Sequence, residues 1–168
     1  MQWARLLTFA FATVAACDDS PPGPVDEQPT REIHVFFTRD GQPAPVTRSI
    51  FPTFNPLPVA MSKLLEGPTP EERTAGFSSF FFIRTAPAFD RLEVRPDSLA
   101  VIDFLDFSHI IPEASSAAGA AMLLGELNHT VFQFSFIKSV VYRFNGSCTR
   151  FFDWLGQACQ TIRRDAIE

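Results

Sequence analysis

The sequence predicts an α+β domain: a small mixed or antiparallel sheet with two main helices on one face, in the order strand, helix, strand, strand, helix, strand. Three observations carry this. Runs of β-branched and aromatic residues at Ile33–Phe37, Leu99–Phe104 and Val140–Phe144 have strand length and end near turn residues. Two stretches with helical spacing of apolar residues each begin at a residue able to cap a helix. The 168 residues suffice for one domain with its own core. Helices that bury one stripe against one sheet give a two-layer arrangement of the split β-α-β kind.

The elements follow in order. The strand at Ile33–Phe37 is stopped by Asp40-Gly41. Asn55-Pro56 opens a helix, because Asn caps and Pro suits the first helical position. Leu57, Ala60, Met61, Leu64 and Leu65 form its apolar stripe. Gly67-Pro68 ends it, and Thr69-Pro70-Glu71-Glu72 starts a short second one, with Thr69 and Glu72 spaced as a capping box. Leu92–Arg95 and Leu99–Phe104 flank the turn Pro96-Asp97-Ser98 as a hairpin. Ser115 or Ser116 caps the longest helix, whose stripe is Ala120, Leu124, Leu127, Val131 and Phe134. Gly119 and Gly125 allow it to approach a sheet closely. Val140–Phe144 is the final strand.

The first sixteen residues are a processing segment. Arg5 precedes an apolar run from Leu6 to Ala16 that is too short to span a bilayer, which needs about 20 residues, and suits a signal-peptide core. Val14-Ala15-Ala16-Cys17 resembles the bacterial lipobox, so Cys17 is the expected site of acylation, anchoring the chain outside the cytoplasm. Residues 17–31 then form an extended, Pro-rich spacer, beginning Asp18-Asp19-Ser20-Pro21-Pro22. In an oxidising compartment Cys148 and Cys159 are expected to pair. Their disulfide closes a short loop and contributes roughly 2–3 kcal/mol. The net charge of -5, without a basic tract, excludes nucleic acid as a partner.

Several phrases resemble the GerMN domain, named for a spore-germination and sporulation lipoprotein. Ile33–Thr38 matches its opening strand, and Pro45-Val46-Thr47-Arg48 matches the approach to its first helix. Leu64-Leu65-Glu66-Gly67-Pro68-Thr69-Pro70-Glu71-Glu72-Arg73 is close to the family's LLxGPTxxE phrase, the most specific piece. Val101-Ile102-Asp103-Phe104 is similar to its VxDL strand, and Asn128–Val140 to the passage from long helix to last strand. The likeness runs over residues 32–145, leaving 146–168 as a C-terminal extension. It implies a small α/β domain akin to ring-building modules of sporulation and secretion assemblies, commonly lipid-anchored, with no catalytic residues to carry over. Two places depart from the family: the Phe-rich Ser78–Ile83, and the cysteine-bracketed tail from Ser147.

No catalytic, cofactor or metal site is expected. His34, His109 and His129 are too scattered for a metal. Asp103 and Asp106 read as a strand-end and a loop aspartate in water rather than an acid–base pair. The oddity is 19 Phe against one Tyr, with Phe80-Phe81-Phe82 consecutive. Side chains alternate along a strand, so these three cannot all face one core, and they are the candidate interaction surface. The expected function is a non-enzymatic, lipid-anchored binding or assembly module of the bacterial envelope, with a sporulation or germination link. Its partners would be the membrane through the anchor, envelope proteins, or a second copy. The rival reading is a small envelope hydrolase or glycan-binding enzyme.

Overall fold

The computed structural model describes residues 29–167. The signal segment, Cys17 and nearly all of the spacer lie outside the described residues. The α+β class is as predicted, but the strands divide over two sheets rather than one. The first has β1 (Arg31–Arg39) between β2 (Gln42–Ile50) and the short β3 (Phe77–Ser78), both antiparallel to it. The second runs in the order β4 (Phe89–Val94), β5 (Leu99–Phe104), β6 (Ser139–Phe144) and β7 (Ile162–Arg163), with β5 and β6 parallel. The helices are α1 (Pro56–Glu66), α2 (Pro70–Thr74), α3 (Ala117–Phe132) and α4 (Cys148–Trp154).

The predicted caps are present. The Asn55 side chain accepts from Leu57 N, Thr69 and Glu72 form a reciprocal capping box, and Ser116 accepts from Gly119 N. The stripe of α1 is wholly buried, and that of α3 runs through Ala120, Leu123, Leu127 and Val131. Leu124 is only half-buried, and Phe134 is buried from the loop beyond the helix. Gly119 makes its close approach to the turn before its own helix, not to a sheet: a Cβ there would lie 2.5 Å from the Glu113 carbonyl oxygen.

Besides the two-residue β3, two strands were not predicted. In β2, Pro43 and Pro45 argue against a strand, because proline cannot donate to a ladder. They are tolerated because β2 is an edge. The amides of His34, Phe36 and Thr38 point away from β2, which places their partners Thr47, Pro45 and Pro43 on the outward register. The two prolines thus remove donors from the free edge, where an exposed ladder invites unwanted pairing. The other addition, β7, shows that Val140–Phe144 is not the last strand: Ile162 pairs with Val140.

The other edge of β1 is covered by α3. Thr38 N donates to Glu126 Oε1 (3.0 Å), Phe36 N to Thr130 Oγ1 (3.0 Å), and His34 N to Gln133 Oε1 (2.8 Å). Gln133 Nε2 returns a bond to His34 O, so its amide imitates a neighbouring strand. Helix positions three and four apart share a face, and alternate strand amides point the same way, so the two periods match over this stretch.

The second sheet rests on an aromatic cluster. Phe104, Tyr142 and Phe144 point inward against Phe107, Phe151 and Trp154, with Phe107 and Phe144 rings edge-on at 4.9 Å. The C-terminal extension supplies Phe151 and Phe152 to this core from α4, and Leu155 from the residue after it. The disulfide Cys148–Cys159 ties the start of α4 to the segment after it. Beyond it, the Arg164 guanidinium donates to the carbonyls of Phe132 (2.5 Å), Phe134 (2.7 Å) and Ile137 (2.7 Å), satisfying acceptors left open where α3 ends.

Candidate interaction groove

The phrase Gly67-Pro68-Thr69-Pro70 and the Phe-rich segment, apart in sequence, form the two walls of one groove. Gly67 sits at φ 77°, the left-handed region, and a Cβ there would lie 2.2 Å from the Phe81 carbonyl oxygen. Glycine is required twice over, for the backbone angle and for the close approach. Thr85, fully buried, holds the same two segments together: its hydroxyl donates to Leu65 O (2.7 Å) and accepts from Phe82 N (2.9 Å).

On the first wall, Glu72 does more than cap. Its Oε2 accepts from Thr69 N (2.8 Å) and from Arg48 Nη2 (2.8 Å), and its Oε1 accepts from Arg48 Nη1. This bidentate pair clamps α2 to β2, and the Arg48 bonds hold the Glu72 carboxyl below its ordinary range. Arg73 Nη1 donates to Pro68 O, turning its side chain back over the loop.

On the second wall, Ser79 donates to Glu126 Oε2 (2.6 Å). Glu126 is fully buried and also receives both the amide and the hydroxyl of Thr38. Burial pushes its carboxyl up to about 7, against the opposing pull of the Ser79 and Thr38 bonds. Between the walls lies an open groove of about 760 Å³, lined by Gly67, Pro68, Arg73, Phe77, Phe82 and Ile83 among others.

The structure places the three phenylalanines differently from a strand. β3 ends at Ser78, and residues 79–85 form irregular backbone and a turn. Phe81 is 1% exposed, edge-on to Phe107 at 5.9 Å, so it belongs to the core and is corrected out of the interaction surface. Phe80 and Phe82 are half-buried, and Ile83 stands 74% exposed at the groove's rim. Thus Phe81 is wholly in the core and Phe80 and Phe82 pack against its margin, while the segment still leaves apolar surface at the groove.

The remaining candidates do not converge. Among the described residues, no three His, Cys, Asp or Glu side chains form a metal-binding group. His129 Nδ1 lies 2.9 Å from Gly125 O. Asp103 is not in water: it is 1% exposed, accepting from Gly146 N (3.0 Å) and Arg91 Nη2 (3.2 Å), and fixes the turn after β6. Asp106 accepts from Ser108 N (2.9 Å), closing a local turn. Glu126, Arg48 and Thr85 were missed because each is defined by a partner distant in sequence. A lone glutamate on the buried side of a predicted helix was the one available signal.

Two antiparallel and mixed sheets joined through α1 and α3 make this a GerMN-like fold, as the Leu64–Arg73 phrase implied. The structure is similar to the tandem GerMN domains of the sporulation protein GerM from Bacillus subtilis, with a TM-score of 0.58 at 17% identity, over 86% of this chain and 48% of that one. This chain thus spans about half of the tandem structure. Lower scores relate it to the first GerMN domain of the same protein (TM-score 0.47, 18% identity, 70% of this chain and 85% of that one). A provisionally described lipoprotein from Clostridium perfringens scores 0.45 at 15% identity, over 81% and 89% of the two chains. No family model and no curated protein sequence matches the chain.

Proposed function

We propose that the chain is a lipid-anchored, non-enzymatic module that works outside the cytoplasm and binds a protein of the bacterial envelope through the groove beside Ile83. The lipobox-like Val14–Cys17 supports the anchor. The observation that carries the binding reading is the groove itself: open, mainly apolar, bordered by half-buried Phe82 and exposed Ile83. Its polar side chains are engaged within the protein, with Glu66 on Lys63, Arg73 on Pro68 O, Ser78 on Thr38 O and Ser79 on Glu126. A groove of this kind suits an extended apolar segment. The sporulation setting of the tandem GerMN protein makes assemblies of sporulation or germination the first place to look for that partner.

A photoreactive benzoylphenylalanine in place of Ile83, in cells making the full chain, tests this. The expected result is a discrete protein adduct that weakens when Phe82→Ser is added. Adducts no stronger than those from the same group at exposed Asp90 would refute the groove as a binding site.

A further inference from the structure

The large apolar side chains that the described surface exposes are Phe51, Phe54, Ile83, Val94, Leu105 and Phe136. Four of them collect at one end. Ile50 is registered opposite Arg31, so Phe51 and Phe54 follow at the start of β1, their rings edge-on at 5.7 Å. α3 runs antiparallel to β1, with Glu126 at Thr38 and Gln133 at His34, so the loop after Gln133 carries Phe136 to this same end. Lys138 N in that loop donates to Ser98 O (2.9 Å), which brings the β4–β5 turn alongside, with Val94 at its base. Exposed Arg31, Arg95, Lys138 and Arg163 lie in these segments together with exposed Glu32, Glu93, Asp97 and Asp165, and Arg95 and Arg163 pair with Glu93 and Asp165.

The chain leaves this end toward Cys17. The intervening spacer reaches at most roughly 50 Å even when fully stretched. We propose that this end, led by Phe51, Phe54 and Phe136, seats on the membrane surface, with the three rings in the interfacial layer. The proposal rests on the anchored-module reading for its geometry. Tethering holds the rings at high local concentration against the bilayer, so a modest apolar insertion suffices. The acidic balance of the whole chain means that the rings, and not bulk charge, carry the contact.

The test reconstitutes the full lipidated chain into phosphatidylethanolamine–phosphatidylglycerol vesicles containing brominated lipid. Three variants are compared: Phe54→Trp, Phe136→Trp and, at the opposite end, Ile83→Trp. All three positions are exposed, so folding is preserved, and intact disulfide mapping checks it. Bromolipid is expected to quench the added emission at 54 and 136 several-fold more than at 83. Equal quenching at all three positions overturns the proposal. So does emission at 54 and 136 that is shielded from iodide yet untouched by bromolipid, since a protein would then cover this end. Fatty-acid labelling of the same chain judges the anchor separately. A labelled chain without selective quenching refutes the docking and leaves the anchor standing. An unlabelled chain refutes the anchor, and the docking is then decided by the same quenching with vesicles added from outside.

Discussion

A carboxyl group enclosed on every side must collect donors or keep its proton, and Glu126 is held between the two. Three donors, Thr38 N, Thr38 Oγ1 and Ser79 Oγ, reach its oxygens, yet burial dominates and lifts its pKa to about 7. The folded pKa lies above the unfolded one, so the folded state binds the extra proton. Stability from this group is therefore full below about pH 4.5 and declines as pH rises toward and through 7. The full difference amounts to roughly 3 kcal/mol. Glu126→Gln keeps an acceptor for Thr38 and turns the other atom into a donor toward Ser79. The expected outcome is that urea midpoints of the variant stop falling between pH 5 and 8, while those of the parent fall. Gly67 makes the complementary case, where a missing atom matters. Gly67→Ala sets a methyl against the Phe81 carbonyl and forces a positive φ on alanine. A loss of roughly 1–3 kcal/mol is expected in chemical denaturation, from backbone strain before the clash is added.

Among the elements, α3 has the widest duty: it buries a stripe, closes an edge of β1, and ends under the guanidinium of Arg164. Thr130→Val isolates the edge duty, because it keeps the volume and removes only the acceptor for the Phe36 amide. Left unpaired and half-buried, that amide should cost roughly 1 kcal/mol, and its hydrogen exchange should quicken relative to Val35, which bonds to β2. Such pairings explain what could be read from sequence and what could not. The caps at Asn55, Thr69 and Ser116 involve neighbours in the chain, so their spacing announced them. So did the core stripe of α1 and the cysteine pair. β2 was hidden because its prolines are acceptable only on an edge, and edge position is a property of the assembled sheet. Gln133 on His34, Arg48 on Glu72 and Asp103 on Gly146 join residues with no local pattern to connect them. The groove shared this fate in part: both walls stood out, one as a family phrase and one as an aromatic run, but nothing local said that they met. The C-terminal extension can be tested as an element too. Replacing Cys148 and Cys159 together by Ala should lower stability by about 2–3 kcal/mol and loosen α4, read as faster exchange at Phe151 and Phe152.

At the scale of the molecule, α1 and β1 each run from the end where the chain enters to the end where the groove lies. α1 starts beside Phe54 and stops at Gly67; β1 starts at Arg31 and meets β3 at Thr38 and Arg39. The nine residues of β1 separate the two ends by roughly 27 Å. With the entry end held at a membrane, the groove faces away from it, toward whatever stands in the adjoining compartment. This orientation makes anchoring and binding depend on one another in a measurable way. Cys17→Ala should leave the precursor uncleaved and unlabelled by fatty acid. Exporting residues 31–168 behind a cleaved secretory signal instead frees the groove from any anchor, so cross-links from position 83 to an envelope partner should fall by about tenfold or more, as tethering predicts. Fusing the same residues 31–168 behind an unrelated membrane-spanning helix with a spacer of equal length should restore them. Cross-links undiminished in the released chain would show that the groove finds its partner without an anchor. Cross-links lost and not restored by the new tether would show that the lipid itself, or the segment it carries, forms part of the binding surface.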